Sequence, residues 1–275
     1  MGEALLSVDF VDEIPADGVT GVATLPMRQL GPAELHEVWR GGELFFGTYV
    51  TEDDEDIERA ARNAYDEILR TTCERGFPHL LRIWNHVRDI NAGEGEAERY
   101  KRFCAGRHDA FDAARWANDR LPAASAVGIR RRGLYISYLA AQEPGRQIEN
   151  PRQISAYDYP LQYGRRSPSF ARATVFGGTL FIAGTSSIVG HETRHAGDIG
   201  AQLDETLTNV ETIARAAGCR GLGDLTHAKL YLRNAADVEI ANALRAALPQ
   251  AKLLVLEADI CRRELLLEIE AVGQI

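Results

Sequence analysis

The sequence predicts an α+β protein in which one unit, a small sheet covered by helices, occurs twice. Two observations lead there. A strand–helix–strand–helix–strand order is met twice along 275 residues. Each helical stretch also carries a single apolar stripe, so it buries one face and leaves the other to solvent. With 45 % hydrophobic and 26 % charged residues, the chain has the composition of a globular protein with a core to bury.

In the first half, Glu43–Val50 reads as a strand. Residues 53–75 carry Ile57, Ala60, Ala61, Ala64, Ile68 and Leu69 at steps of three and four, which is helical spacing, and Gly76-Phe77-Pro78 stops the run. His79–Ile90 reads as a strand with its exit. Glu96–Asn118 is a second helix with Tyr100, Phe103, Cys104, Arg107 and Phe111 along one side, and Leu134–Ala140 is a further strand. In the second half, Thr174–Gly184 makes strands around the turn Gly177-Gly178. Asp198–Ala217 is a helix, with Leu203, Leu207, Val210, Ile213 and Ala214 as its stripe. Leu225–Arg233 alternates as a strand, Ala235–Leu248 is a helix, and Leu253–Glu257 and Leu265–Val272 are strands. His79 and His227 are expected in equivalent places at the heads of corresponding strands. The division is drawn after residue 148, giving an N-terminal unit 1–148 and a C-terminal unit 149–275.

Several function classes are set aside by composition. The first residues have no basic start and no long apolar run, so they do not read as a secretory signal, and Met1-Gly2 followed by Leu6-Ser7 fits myristoylation poorly. No stretch reaches the roughly 18 apolar residues of a membrane span. Cys73, Cys104, Cys219 and Cys261 are scattered, which fits a reducing cytoplasm better than a disulfide framework. The net charge of −9 argues against nucleic acid as a partner. An acidic chain can still hold a small anion by gathering arginines in one pocket.

Such a gathering occurs in residues 149–172, ENPRQISAYDYPLQYGRRSPSFAR, where Arg152, Arg165, Arg166 and Arg172 alternate with Tyr157, Tyr159 and Tyr163. A guanidinium fork pairs two-point with a carboxylate, and a tyrosine adds a neutral donor and a flat wall. A basic inter-domain linker is the competing reading. The apolar run that follows ends in Gly184-Thr185-Ser186-Ser187, where a glycine allows close backbone approach or simply makes a turn.

His191-Glu192-Thr193-Arg194-His195 has the HExxH spelling, which binds zinc only when a helix puts both histidines on one face. Gly190 before it and Ala196-Gly197-Asp198 after it predict a loop that ends at a helix N-cap, with no metal bound. Near the C-terminus, Glu268 and Glu270 alternate with Leu267 and Ile269, so both acids share one face of a strand. An exposed acidic face is one reading. A buried carboxyl with a raised pKa, able to donate a proton near neutrality, is the other.

Taken together, RIWNHVRDIN with ERYKRFCAGR, IENPRQISAYDYPLQYGRRSPSFARAT, LFIAGTSSIVGHETRHAGD and ADICRRELLLEIEAVG resemble the chorismatase family, over about two-thirds of the chain. The resemblance implies two fused units of the RidA (YjgF) fold, each a small mixed sheet covered by helices, with an N-terminal unit that is degenerate and a C-terminal one that is catalytic. It implies cleavage of chorismate to pyruvate plus a hydroxybenzoate or a dihydroxycyclohexadiene carboxylate, with no metal or organic cofactor. Glu268 corresponds to the family's catalytic acid. Arg166, Arg172, Tyr159, Tyr163 and Arg107 correspond to its substrate-binding positions. Gly184 and Cys261, where the hydrolase type has alanines, resemble the 3-hydroxybenzoate-forming type, in which a ring hydroxyl displaces the pyruvate-bearing oxygen and the ring aromatises; the resemblance implies that Gly184 leaves room for the bound ring and that Cys261 is catalytic, shaping the site or moving a proton. Arg165 stands where the family has proline. A hydrolase, a mixed 3-/4-hydroxybenzoate synthase, and a RidA-like module that binds an anionic metabolite without consuming it stay open, as does a monomer or a small homo-oligomer.

Overall fold

The structure, a computed structural model, describes residues 36–41 and 44–275, the first of these stretches by its backbone. The readings made of the N-terminal segment, and Glu43 at the head of the first predicted strand, lie outside the described residues.

Asp56 accepts from the Arg59 amide and starts α1 (Ile57–Glu74), which follows β1 (His36–Gly41) and β2 (Leu44–Thr51). Then come β3 (His79–Arg88), α2 (Arg99–Ala113), β4 (Ala123–Ile129) and β5 (Leu134–Ala141). The helix α2 is shorter than predicted. A 3-10 turn occupies Gly95–Ala97, and Arg115 enters the left-handed region at φ 52°. The second half begins with β6 (Arg146–Ile148), β7 (Ala173–Phe176) and β8 (Thr179–Thr185). Gly177 and Gly178, at φ 57° and 80°, make the primed turn between β7 and β8 that matches strand twist. A short hairpin of β9 (Ile188–Val189) and β10 (Glu192–Thr193) leads to Asp198, which caps α3 (Ile199–Ala217) by accepting from the Ala201 amide. The chain ends with β11 (Leu225–Leu232), α4 (Ile240–Ala247), β12 (Lys252–Glu257), β13 (Asp259–Ile260) and β14 (Leu267–Gln274).

The strands form two six-stranded sheets, ordered β1-β2-β5-β3-β4-β13 and β12-β11-β14-β8-β7-β6. Setting β13 and β6 aside, each sheet has the same order of corresponding strands. In each, one pair is parallel, β3 with β4 and β11 with β12, because a helix carries the chain back over the sheet. The duplication extends to irregularities: the register shifts between Leu80 and Arg82 against β5, and between Leu225 and His227 against β14. These bulges make Arg82 the counterpart of His227, so the expected equivalence of His79 with His227 is corrected. The division expected after residue 148 falls directly behind β6, which pairs with β7 of the second sheet, while β13 from the C-terminal half pairs with β4 of the first.

The sheets lie face to face with a helix pair on each outer side. Ile83, Asn85 and Val87 of β3 face α1 and α2, and Leu267, Ile269 and Ala271 of β14 face α3 and α4. The alternate residues meet between the sheets: Leu81, Trp84, Phe46 and Phe181 form one apolar patch there, and Val127, Tyr231, Leu256 and Ile260 form another. Polar and charged side chains, among them Arg82, His86, Ser125, Lys229, Glu268 and Glu270, are also buried in this seam. Among the described residues, no helix is long and apolar enough to cross a membrane.

The helices α1 and α2 touch backbone to backbone at Gly106, where an added Cβ would overlap the carbonyl of Glu58. Gly106→Ala is therefore expected to lower stability by about 1–3 kcal/mol, although alanine normally favours a helix. Urea titration of the pure protein checks the sign. A midpoint at or above that of the wild type would mean the helices separate at no cost.

Candidate active site

A cavity of roughly 230 Å³ opens at the seam between the halves. The helix α2 contributes Tyr100 and Lys101 to it. The segment before β7 contributes Gln153, Tyr159, Tyr163, Phe170 and Arg172. The strand β8 and its exit contribute Gly184 and Ser186, and the C-terminal stretch contributes Cys261, Arg262, Arg263 and Glu268.

The acid is at its floor. Glu268 is 4 % exposed, and its Oε1 has no hydrogen-bond partner. Burial, and then the Glu270 carboxylate on the same face of β14, push its pKa up to about 8; Arg82 and Ser186 oppose this without reversing it. Glu270 has the opposite fate. Burial would raise it too, but Lys229 and Arg82 overcompensate and hold it at about 2. Arg82 Nη2 lies 2.9 Å and Lys229 Nζ 3.4 Å from this carboxylate, and Trp84 Nε1 donates to it at 3.1 Å. Two neighbouring glutamates are thus set apart, one neutral and one ionised, by what surrounds them. The exposed-face reading of this pair is excluded by their burial. In the first sheet their counterparts are Tyr135 and Ser137, since Tyr135 faces His86 across β5–β3 as Glu268 faces Tyr231 across β14–β11. Only the second unit therefore carries the acid pair.

Gly184 lies against this acid. A Cβ there would overlap Glu268 Oε1 and come within 3.2 Å of the Ser125 Cβ, so glycine is required by close approach, not by a turn. Its strand is bulged at this point. Ile269 pairs with Thr185, but Ala271 pairs with Ile182, so three residues of β8 span two of β14. Cys261 stands beside the acid with its thiol pushed up to about 12 by burial and by Glu268. It is a neutral wall of the cavity, not a thiolate.

Two guanidinium groups flank Tyr159. That of Arg172 is 5.6 Å from the ring centroid and that of Arg262 is 5.3 Å; Arg262 also covers Tyr163 at 4.1 Å. Arg172 is buried and donates to the Tyr159 hydroxyl at 2.8 Å and to the Ile154 carbonyl at 3.0 Å, while its Nε has no hydrogen-bond partner. Arg262 donates to the His191 carbonyl at 2.8 Å.

Of the residues expected from sequence, Glu268, Cys261, Arg172, Tyr159, Tyr163 and Gly184 meet in the cavity. Two do not. Arg166 follows Gly164, whose φ of 131° turns the chain outward, and its half-exposed side chain pairs with Asp109 at 3.3 Å. Arg107 is on the inner side of α2, buried between Phe103 and Phe170, so it backs the Phe170 wall without reaching the cavity. The HExxH stretch spans the β9–β10 hairpin and loop and is not helical. His191 bonds the Tyr163 hydroxyl at 3.2 Å, and the His195 ring lies 3.6 Å from Glu205. Among the described residues, no three His, Cys, Asp or Glu side chains are grouped to hold a metal. The linker reading of 149–172 fails on burial, since Asn150, Tyr159 and Arg172 are all covered.

The residues missed by sequence reasoning are Arg262, Arg263, Lys101, Gln153 and Ser186 on the cavity wall, and Arg82, Trp84, Ser125 and Lys229 behind the acid. The doublet in ADICRREL was visible beside Cys261, and the alternation in RIWNHVR already put Arg82, Trp84 and His86 on one strand face.

Fold and cavity define an α+β enzyme whose site forms where two repeated units meet. A family model described as "Chorismatase FkbO/Hyg5-like, N-terminal" matches residues 27–140. A 3-hydroxybenzoate synthase of Streptomyces hygroscopicus is 37 % identical over 251 residues, covering 84 % of this chain and 74 % of that protein. A chorismatase of Streptomyces rapamycinicus is 38 % identical over 218 residues, covering 72 % and 64 %. A crystal structure of a chorismatase superposes with a TM-score of 0.81 at 34 % identity, over 88 % of this chain and 80 % of that one. The chain belongs to the chorismatase family.

The raised pKa of Glu268 makes stability depend on pH. Between its ordinary value of 4.5 and about 8, the folded protein holds a proton that the unfolded chain releases, so stability falls as pH rises through that window. Glu268→Gln is expected to flatten this slope in urea midpoints measured from pH 5 to 8. An unchanged slope in the variant would place the proton elsewhere.

Proposed function

We propose that this enzyme converts chorismate to pyruvate and 3-hydroxybenzoate. The observation that carries the reading is the buried carboxyl of Glu268, its Oε1 without a hydrogen-bond partner, at the floor of a cavity whose walls present arginines. Chorismate is a dianion with an enolpyruvyl ether. Releasing pyruvate requires a proton on the terminal methylene carbon, which leaves an oxocarbenium-like centre. A neutral, buried carboxyl is suited to give that proton, and the carboxylate it becomes stabilises the cation. Arg172 and Arg262 take the two carboxylates, replacing the clamp expected of Arg166. Tyr159 and Tyr163 form the flat wall between them.

The atoms of chorismate equal those of the two products, so no water is gained or lost. The neighbouring ring hydroxyl attacks the carbon from which the ether oxygen departs. Its proton returns to Glu268, and the ring then aromatises by moving one proton from carbon to oxygen. Gly184 and the neutral Cys261 leave the room this rearrangement needs. The substrate is a free small molecule met in the cytoplasm, and the enzyme acts as a monomer or small homo-oligomer, without nucleic acid or membrane.

Glu268→Gln is expected to lower chorismate turnover by about 10³-fold with folding retained, and wild-type kcat is expected to fall as pH rises above about 8, where the acid loses its proton. Stopped assays of pyruvate release test both; near-normal turnover in the variant rejects the assignment. With ¹⁸O in the ring hydroxyl of chorismate, the hydroxybenzoate is expected to keep the label, whereas an unlabelled hydroxybenzoate would mean that the ether oxygen stayed on the ring. Gly184→Ala combined with Cys261→Ala is expected to shift product toward the non-aromatic diol, because the alanine methyl displaces the Glu268 carboxylate. Chromatography of the products checks the shift, and an unchanged ratio refutes the role given to these two positions.

A further inference from the structure

Behind Gly184, the first sheet reaches across the seam. The bulge in β8 takes the Gly184 amide out of the ladder with β14, and that amide donates instead to the Ser125 hydroxyl of β4 at 2.8 Å. The same oxygen accepts from Arg82 Nη2, which in turn lies against Glu270. Both lone pairs of Ser125 are therefore engaged, and its hydroxyl is among the groups that favour an ionised Glu270. Ser125 is 5 % exposed and Arg82 is 2 % exposed, so water does not compete for these bonds. On its other side, Gly184 is in contact range of Glu268 Oε1.

We infer that Ser125, braced by the Arg82–Glu270 pair, is a positioning residue for the reaction: by drawing the Gly184 amide across the seam it holds the β8 bulge open and so fixes where the Glu268 carboxyl meets the substrate. The inference rests on chorismate cleavage at this site. It assigns product selectivity to both units, since Gly184 and Glu268 belong to the second sheet and Ser125 and Arg82 to the first. Without the hydroxyl, the Gly184 amide is left unsatisfied in a buried place, and the bulge relaxes toward regular pairing, moving backbone into the space the carboxyl occupies.

Ser125→Ala removes only the oxygen. The variant is expected to lose about 10- to 100-fold in kcat with KM changed less than about threefold, and to release more non-aromatic diol per hydroxybenzoate. Ser137→Ala, which deletes a buried hydroxyl of the same sheet away from the cavity, is expected to keep the wild-type product ratio and serves as the structural control. Amide hydrogen exchange supplies a readout that needs no substrate. Gly184 is expected to exchange at least about tenfold faster in Ser125→Ala, as a lost hydrogen bond of about 1.4 kcal/mol implies, while Ile182 in the same strand stays protected. A Gly184 amide as protected as in the wild type overturns the inference. So does a Ser125→Ala enzyme with unchanged kcat and product ratio, or a loss of kcat shared equally by Ser137→Ala. If the wild-type protein does not consume chorismate, the proposed function fails, and the exchange of Gly184 still decides whether Ser125 holds the bulge.

Discussion

The carboxylate of Glu270 has been taken out of water and placed between two sheets. A lone ionised carboxylate there would cost far more than a domain can spare, so the site exists only because Arg82, Lys229 and Trp84 converge on it. These partners come from β3 of the first unit and β11 of the second. The ionic cluster therefore pins the register of one sheet over the other, and the neighbouring apolar contacts of Trp84, Phe46 and Phe181 fill the seam around it. Once Glu270 is held ionised, its neighbour Glu268 resists ionisation, because it has burial against it and a like charge beside it. A structural ion cluster thereby sets the chemistry of the acid two residues away.

The duplication explains why this happens once. Both units share strand order, the parallel pair and the position of a bulge. Tyr135 and Ser137 stand in β5 where Glu268 and Glu270 stand in β14. The first unit has kept the scaffold and become the other wall, lending Arg82, Ser125, Tyr100 and Lys101 to the seam. A cavity between like units draws its walls from both, which suits a substrate carrying two carboxylates that must be held apart.

Much of the fold could be read from periodicity. The apolar stripes of α1 and α3, their aspartate caps and the Gly177-Gly178 turn are local features with local causes. The strand β4 was not legible: AASAVGI is small and buried on both faces, so it shows no alternation. Nor was β13, two residues whose pairing partner lies in the other half of the chain. In the site, Glu268, Gly184 and Cys261 were legible through motifs. Arg166 was misplaced because an arginine in a basic segment looks the same whether its chain turns inward or, as after Gly164, outward.

By itself, then, the sequence determined the repeated α+β plan, the family, and the shared face of Glu268 and Glu270, because helical and strand periodicity, caps and contiguous motifs are written within a few residues. Only the tertiary structure decided which of those two acids keeps its proton, which arginines face the cavity, and that Gly184 is bonded across the seam to Ser125. Each of these depends on distance and burial between residues far apart in the chain, and electrostatic energies in a dry interior turn on ångströms that sequence spacing does not contain.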